Sequence, residues 1–320
     1  VMTYENRPSS ITNYSPINTI KKYFKYDSSS NLFYSNDFSV IQIDETLRLP
    51  PKHSLRLGKG TKITFVENAG IIINGSFFAL GEENARILIK GSSNLWSGVH
   101  INGGGEESLI TYLTVSGGTG LFDGIQIRGS FTINDALISV ENSQFMNNSS
   151  EDALNLNQVK GVLRGVEISN TKSDGLDADF SDVKLINSRF VNIGSQTGAD
   201  AIDISRTILY AEGVEITKVT DKAISIGEAS EAYLDKLVIS DSVVGIVAKD
   251  SSDVKVRNIK LSNIKLADYM AYNKKSHYSG AAIEVLNHLQ NEPIAIAEHG
   301  STIKIETRLT ATQKLDVEEL

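Results

Sequence analysis

The stretch "SDGLDADF" (residues 173–180) decides the fold. Acidic residues alternate with small or apolar ones, and three aspartates fall within six positions: Asp174, Asp177 and Asp179. In a strand, successive side chains point to opposite faces, so Asp177 and Asp179 share one face and Leu176 and Ala178 the other, while a bend at Gly175 is needed to bring Asp174 to the side of the other aspartates. A calcium loop, a catalytic carboxylate cluster and a solvated strand face would all fit this stretch alone. Its recurrence narrows the reading. The segments "SGVHIN" (97–102), "DGIQIR" (123–128), "DALNLN" (152–157), "DGLDAD" (174–179), "DAIDIS" (200–205), "KAISIG" (222–227), "VGIVAK" (244–249) and "AAIEVL" (281–286) align without gaps. Position two is always Gly or Ala, position three always Val, Ile or Leu, and position five always Ile, Leu, Val or Ala.

Successive segments start 22 to 37 residues apart, and 22 is the commonest step as well as the shortest. A fixed minimum period with variable insertions marks a solenoid whose coils carry loops. A second set follows within the coils: "LRGVEISN" (163–170), "LINSRFVN" (185–192), "AEGVEITK" (211–218), "LDKLVISD" (234–241) and "VRNIKLSN" (256–263). The expected fold is all-β, a right-handed parallel β-helix over residues 46–320. "SLRLGKGTKITFV" (54–66) and "GIIINGSFFALG" (70–81) are expected to wind the first coils, and "STIKIETRLTA" (301–311) the last strands. Residues 1–45, with a candidate helix in "INTIKKYFKY" (17–26), are expected to cap the N-terminal end, because an open sheet edge templates aggregation.

Composition removes several function classes. Hydrophobic residues are 40% and charged residues 22% of the 320, enough for a packed core. A formal net charge of −8 with no basic stripe argues against a nucleic-acid partner. No run of 18 apolar residues is present, so no membrane-spanning helix is expected. Cysteine is absent, which excludes disulfides, thiol catalysis and cysteine-bound zinc. The five histidines show no zinc-ligand spacing. An extracytoplasmic location, secreted, periplasmic or on the cell surface, is the expected one.

The repeat defines three outward columns. Position one holds Ser97, Asp123, Asp152, Asp174, Asp200, Lys222, Val244 and Ala281. Position four holds His100, Gln126, Asn155, Asp177, Asp203, Ser225, Val247 and Glu284, and position six Asn102, Arg128, Asn157, Asp179, Ser205, Gly227, Lys249 and Leu286. Carboxylates concentrate between 152 and 205, with Lys222, Glu228 and Lys249 just beyond. Like charges on neighbouring rungs raise one another's pKa or recruit a cation. Such a cluster costs stability and therefore suggests a site. Trp96, the single tryptophan, precedes a coil strand and is expected to pack. Tyr269, Tyr272 and Tyr278 fall in the longest interval, "LADYMAYNKKSHYSG" (266–280), which is expected to wall a groove over the carboxylates.

"SNTKSDGLDADF", "GADAIDIS", "DKAISIG" and "GIVAKDSS" together resemble the polygalacturonase family of β-helical glycoside hydrolases. That family carries NTDG, DD, GHG and RIK motifs on neighbouring coils. Asn170 and Thr171 precede Asp174 and Gly175 with two extra residues between them. Asp200 matches the second aspartate of DD, the family's general acid. Ala199, Lys222 and Val247 stand where the family has aspartate, histidine and arginine, and Lys249 matches the lysine of RIK. The likeness covers residues 165–252. The whole chain also resembles bacterial right-handed parallel β-helix repeat proteins.

Two functions remain open on the sequence. One is action on an acidic polysaccharide. In a hydrolase, Asp200 would be the acid and Asp174 the base, with Lys222 and Lys249 as point charges for a uronate. In a lyase or epimerase, Lys222 or Lys249 would abstract the proton. Asp152, Asn155, Asp177, Asp203 and Glu228 are candidate substrate contacts. No cofactor is required, although Asp177, Asp179 and Asp203 are candidate calcium ligands. The other function is a non-catalytic surface or phage-fibre module that binds glycans.

Overall fold

The computed structural model describes residues 13–93, 95–122, 126–195, 198–289 and 292–315. They wind a parallel β-solenoid of about 11 turns with almost no helix. Each central coil contains three strands rather than two. Three parallel sheets therefore run along the solenoid, the third as far as Ser262 and the other two into the C-terminal coils. Sheet 1 carries Asp174–Asp179, Ile202–Ser205, Lys222–Gly227, Val244–Lys249 and Ala267–Tyr272 in consecutive coils. Sheet 2 carries Asp182–Ile186, Ile208–Glu212 and Glu231–Asp235. Sheet 3 carries Glu167–Ser169, Arg189–Ile193, Glu215–Val219 and Val238–Ser240. The second set of segments straddles the end of sheet 2, a tight turn and the strand of sheet 3.

The interior is a stack of like on like. At position three, Phe131, Leu154, Leu176, Ile202, Ile224, Ile246 and Tyr269 lie on successive rungs and are fully buried. Each buried aliphatic side chain contributes about 1.5–3 kcal/mol relative to exposure. Position two is small for a steric reason: a Cβ on Gly175 would stand 2.5 Å from the carbonyl oxygen of Ala201. The turn from sheet 2 to sheet 3 passes through one left-handed residue in coil after coil. Asn142, Gly165, Asn187, Gly213, Lys236 and Asn258 hold φ between 48° and 67° there. Glycine and asparagine tolerate that conformation best.

Two of the eight aligned segments are not rungs of sheet 1. The strand at Gly98–Asn102 pairs with "GSFTIN" (129–134), Val99 against Phe131, instead of with "DGIQIR". Asp123 lies outside the described residues. "AAIEVL" belongs to sheet 2, where Asp253 faces Ala282, and "ADYMAY" (267–272) is the sheet 1 rung after "VGIVAK". Gly129, Thr132 and Asn134 thus replace Asp123, Gln126 and Arg128 in the columns, and Ala267, Met270 and Tyr272 replace Ala281, Glu284 and Leu286. The true rungs depart from the pattern at two positions: they carry Ser130 and Asp268 at position two, and Phe131 and Tyr269 at position three. An aromatic ring fills the same interior space as an aliphatic side chain.

The ends differ from the middle. The candidate helix over 17–26 is a single turn, Ile17–Ile20, followed by an antiparallel strand pair, Lys25–Asp27 with Leu32–Tyr34. Ile20 and Phe24 are buried in the continuous core, and the first twelve residues of the expected cap lie outside the described residues. Parallel pairing already begins at Leu32–Tyr34, which bonds to Ser54–Leu57. Trp96 is fully buried and stacks on Phe65 at 5.0 Å between ring centroids, a packing role as expected. Among the described residues no helix is long and apolar enough to cross a membrane.

Candidate active site

The outer face of sheet 1 changes chemistry along the solenoid. Column four reads His100, Thr132, Asn155, Asp177, Asp203, Ser225, Val247 and Met270. His100, Thr132, Ser225, Val247 and Met270 are buried, while Asn155, Asp177 and Asp203 are partly open. Val244, Val247, Ala267, Met270 and Tyr272 form a second apolar cluster that closes the C-terminal end of this face. The open window of the column therefore coincides with its acidic rungs.

Column six shows what a neutral version of this face looks like. Asn102 donates to the Oδ1 of Asn74 at 2.9 Å, and Asn134 donates to the Oδ1 of Asn102 at 3.1 Å. An amide both donates and accepts, so such a ladder can continue indefinitely. Asp179 ends the run of asparagines and Asp177 ends that begun at Asn155. Ionised carboxylates only accept, so neighbouring aspartates cannot bond to one another.

The backbone absorbs part of this cost. Asp174 Oδ1 accepts the backbone N–H of Asp200 at 2.9 Å, and Asp200 Oδ1 accepts that of Lys222 at 3.1 Å. Asn155 donates to Asp152 at 3.0 Å and to Asp177 at 3.2 Å. The Lys222 ammonium pairs with Asp221 and stands 3.6 Å from Asp200. Lys249 Nζ stands 3.8 Å from Asp203, two rungs back. It reaches that far because Gly227 lies beneath its stem. A Cβ there would meet Lys249 Cε at 2.8 Å. The facing Asp203 Oδ1 and the Ser225 hydroxyl are buried without a hydrogen-bond partner.

Burial sets the protonation pattern. It pushes Asp200 up to about 7 against the pull of Lys222, and Asp152 to about 7 with help from Asp174. Asp174 rises only to about 6, because the N–H of Asp200 favours its charged form. Asp177 is pushed up to about 9 by burial and then by Asp152, Asp179 and Asp203. Asp179 is raised by burial and by Asp203. Burial works against the charges of both lysines, but Asp200 and Asp221 outweigh it at Lys222, and Asp203 and Asp200 at Lys249. Both lysines lie above the ordinary value and stay ammonium ions.

Asp152, Asn155, Asp174, Asp177, Asp179, Asp200, Asp203, Lys222 and Lys249 are thus gathered on one face. Glu228 sits at its edge, bonded to Ser205 and paired with Lys275. Among the described residues no group of three or more His, Cys, Asp or Glu is placed to hold a metal ion, and Asp177, Asp179 and Asp203 do not form such a group. Tyr269 and Tyr272 do not wall a groove, for Tyr269 is buried in the interior stack and Tyr272 in the apolar cluster on the outer face. The loop after them does. Lys275 reaches Glu228, and Arg206 donates to the Tyr278 hydroxyl at 2.8 Å. A 570 Å³ cleft between loop and sheet edge is lined by Asp179, Phe180, Arg206, His277 and Tyr278, among others. Cavities at the two ends of the chain do not adjoin the aspartate rungs.

No protein-family model matches the chain, and no curated protein does. Among solved structures it is similar to the periplasmic alginate epimerase AlgG, at 13% identity and a TM-score of 0.49 over 92% of this chain and 78% of that one. It is similar to the A-module of mannuronan C-5 epimerase AlgE4 from Azotobacter vinelandii, at 10% identity and 0.42 over 90% and 92%. It is also similar to the catalytic unit of the GH87 alpha-1,3-glucanase of Streptomyces thermodiastaticus, at 9% and 0.40 over 83% and 66%. At these values the likenesses carry no argument about chemistry.

Sequence reasoning missed Phe180 and Arg206. Phe180 and Arg206 occupy the position directly after the six-residue register, each with φ of 51°. Extending the alignment by one column would have put them beside Glu228. Arg128 was placed on a rung; it instead pairs with Glu151 at 2.8 Å, next to Asp152.

Proposed function

We propose that the protein hydrolyses an acidic polysaccharide laid along the outer face of sheet 1. The observation that supports it is the pairing of Asp174 and Asp200 on adjacent rungs of the acidic window, joined by the hydrogen bond from the Asp200 N–H to the Asp174 carboxylate. Near neutral pH, Asp200 keeps a proton for the glycosidic oxygen, while Asp174 is ionised and activates water. Lys222 holds Asp200 in place, and Lys249 offsets the charge of Asp203. Asp152, Asn155, Asp177 and Glu228 contact the sugar. The lyase or epimerase version needs a neutral lysine as base. Lys222 and Lys249 are both paired ammonium ions, which favours hydrolysis.

The test is a panel of acidic and neutral polysaccharides assayed for new reducing ends and for the ultraviolet absorbance of unsaturated products. Reducing ends without that absorbance are expected. Absorbing products would replace hydrolysis by elimination, and a panel without any product would leave a glycan-binding surface. Calcium is not required in this reading, since Lys249 already lies against Asp203. Melting curves with millimolar calcium or EGTA are expected to superimpose. Stabilisation by calcium that EGTA reverses would instead assign a cation to Asp177, Asp179 and Asp203.

A further inference from the structure

The cleft beside the acidic window contains a guanidinium with an unfilled role. Arg206 leaves sheet 1 at the left-handed turn, one rung after Phe180. Its Cζ lies 5.6 Å from the centre of the exposed Phe180 ring, and one amino group donates to Tyr278. No carboxylate lies within ion-pairing distance of it among the described residues. The wall opposite is pinned. Buried Asp250 accepts the backbone N–H groups of Lys274 and Lys275 through one oxygen, at 2.7 Å each. Ser251 and Ser279 exchange hydrogen bonds at 2.9 Å where the loop returns. These bonds hold the loop that carries Tyr278, whose hydroxyl accepts from the guanidinium.

We infer that this cleft is a subsite for a uronic acid residue and that Arg206 receives the sugar carboxylate. The inference rests on the polysaccharide reading and specifies its substrate class. A planar guanidinium braced by an aromatic face and one hydroxyl keeps most of its five donors, arranged in a fork that fits a carboxylate. The neighbouring acids oppose this weakly. Glu228 is satisfied by Lys275 and Ser205, and burial favours the neutral form of Asp179. A neutral sugar would leave the guanidinium unpaired, so the subsite discriminates by charge.

The test measures binding in the Asp200→Asn background, where turnover is suppressed. Polygalacturonate and alginate are titrated alongside their carboxyl-reduced forms. Arg206→Gln is expected to raise Kd for a uronate polymer about tenfold, the loss of one charge-assisted contact. It is expected to leave binding of the reduced polymer unchanged, and Arg206→Lys is expected to recover part of the loss. Equal losses on both forms, no loss on either, or no binding of either uronate would overturn the inference. The two proposals fail separately. Product formation with an indifferent Arg206→Gln keeps the hydrolase and removes the subsite. Binding that depends on Arg206 without product from any polymer keeps the subsite and removes the hydrolase.

Discussion

Asp200→Asn is expected to lower turnover of the responsive polysaccharide by about 10²–10⁴-fold, the usual contribution of a positioned general acid. The amide is nearly isosteric, and its oxygen still accepts the Lys222 N–H. Lys222 keeps Asp221 as its partner. The fold and KM should therefore hold while kcat falls, and reducing-end kinetics on matched, folded samples separate the two. The wild-type profile should be a narrow bell. Activity falls below about pH 6 as Asp174 gains a proton and above about pH 7 as Asp200 loses one. The two groups touch through a hydrogen bond, so these limbs belong to the pair. Undiminished turnover in Asp200→Asn would remove the acid from this mechanism.

Asp177→Asn is expected to stabilise the protein at pH 8 by at least about 2 kcal/mol and to flatten its stability against pH. The folded pKa, about 9, lies above the unfolded value of 3.8. The native state therefore binds a proton that the unfolded chain releases. The benefit is complete below about pH 4 and disappears as pH rises through 9, so this group makes wild type less stable with rising pH. Asparagine has no charge to bury, and it can join Asn155 in the kind of ladder that Asn74, Asn102 and Asn134 already form. Urea denaturation at pH 5, 6.5 and 8 measures the slope. Parallel slopes in wild type and variant would show that Asp177 is not the buried acid responsible.

The interior of this fold is legible because it obeys a packing rule, and the rule failed where its chemistry was drawn too tightly. Leu176, Ile202, Ile224 and Ile246 announce their rungs. Phe131 and Tyr269 occupy equivalent space but break the aliphatic pattern, and Ser130 and Asp268 break the Gly or Ala rule at position two, so "DGIQIR" and "AAIEVL" imitate their rungs in the sequence. With the true rungs in place, the 37-residue interval resolves into a 23-residue step from Ile246 to Tyr269 and a strand of sheet 2. The aspartate patch was readable because the correctly placed rungs include every one that carries it. Its depth was not. The backbone bonds of Asp174 and Asp200, the reach of Lys249 over Gly227, and the bracing of Arg206 by Phe180 and Tyr278 depend on side-chain direction, which a column of letters does not record.

The reach of Lys249 over Gly227 has a consequence for how such a site can change. Excising residues 222–243 would remove one whole turn, because Lys222 and Val244 are register partners. Inside, Ile202 would meet Ile246 and the wall would close without a seam. Outside, Val244 would settle over Asp200 and Val247 over Asp203, and the ammonium that spans two coils would overshoot its partner. A turn can be lost or copied without injury to the tube, yet any such event between Asp152 and Lys249 dismantles the patch. Within, the solenoid counts residues; on its surface, it counts coils.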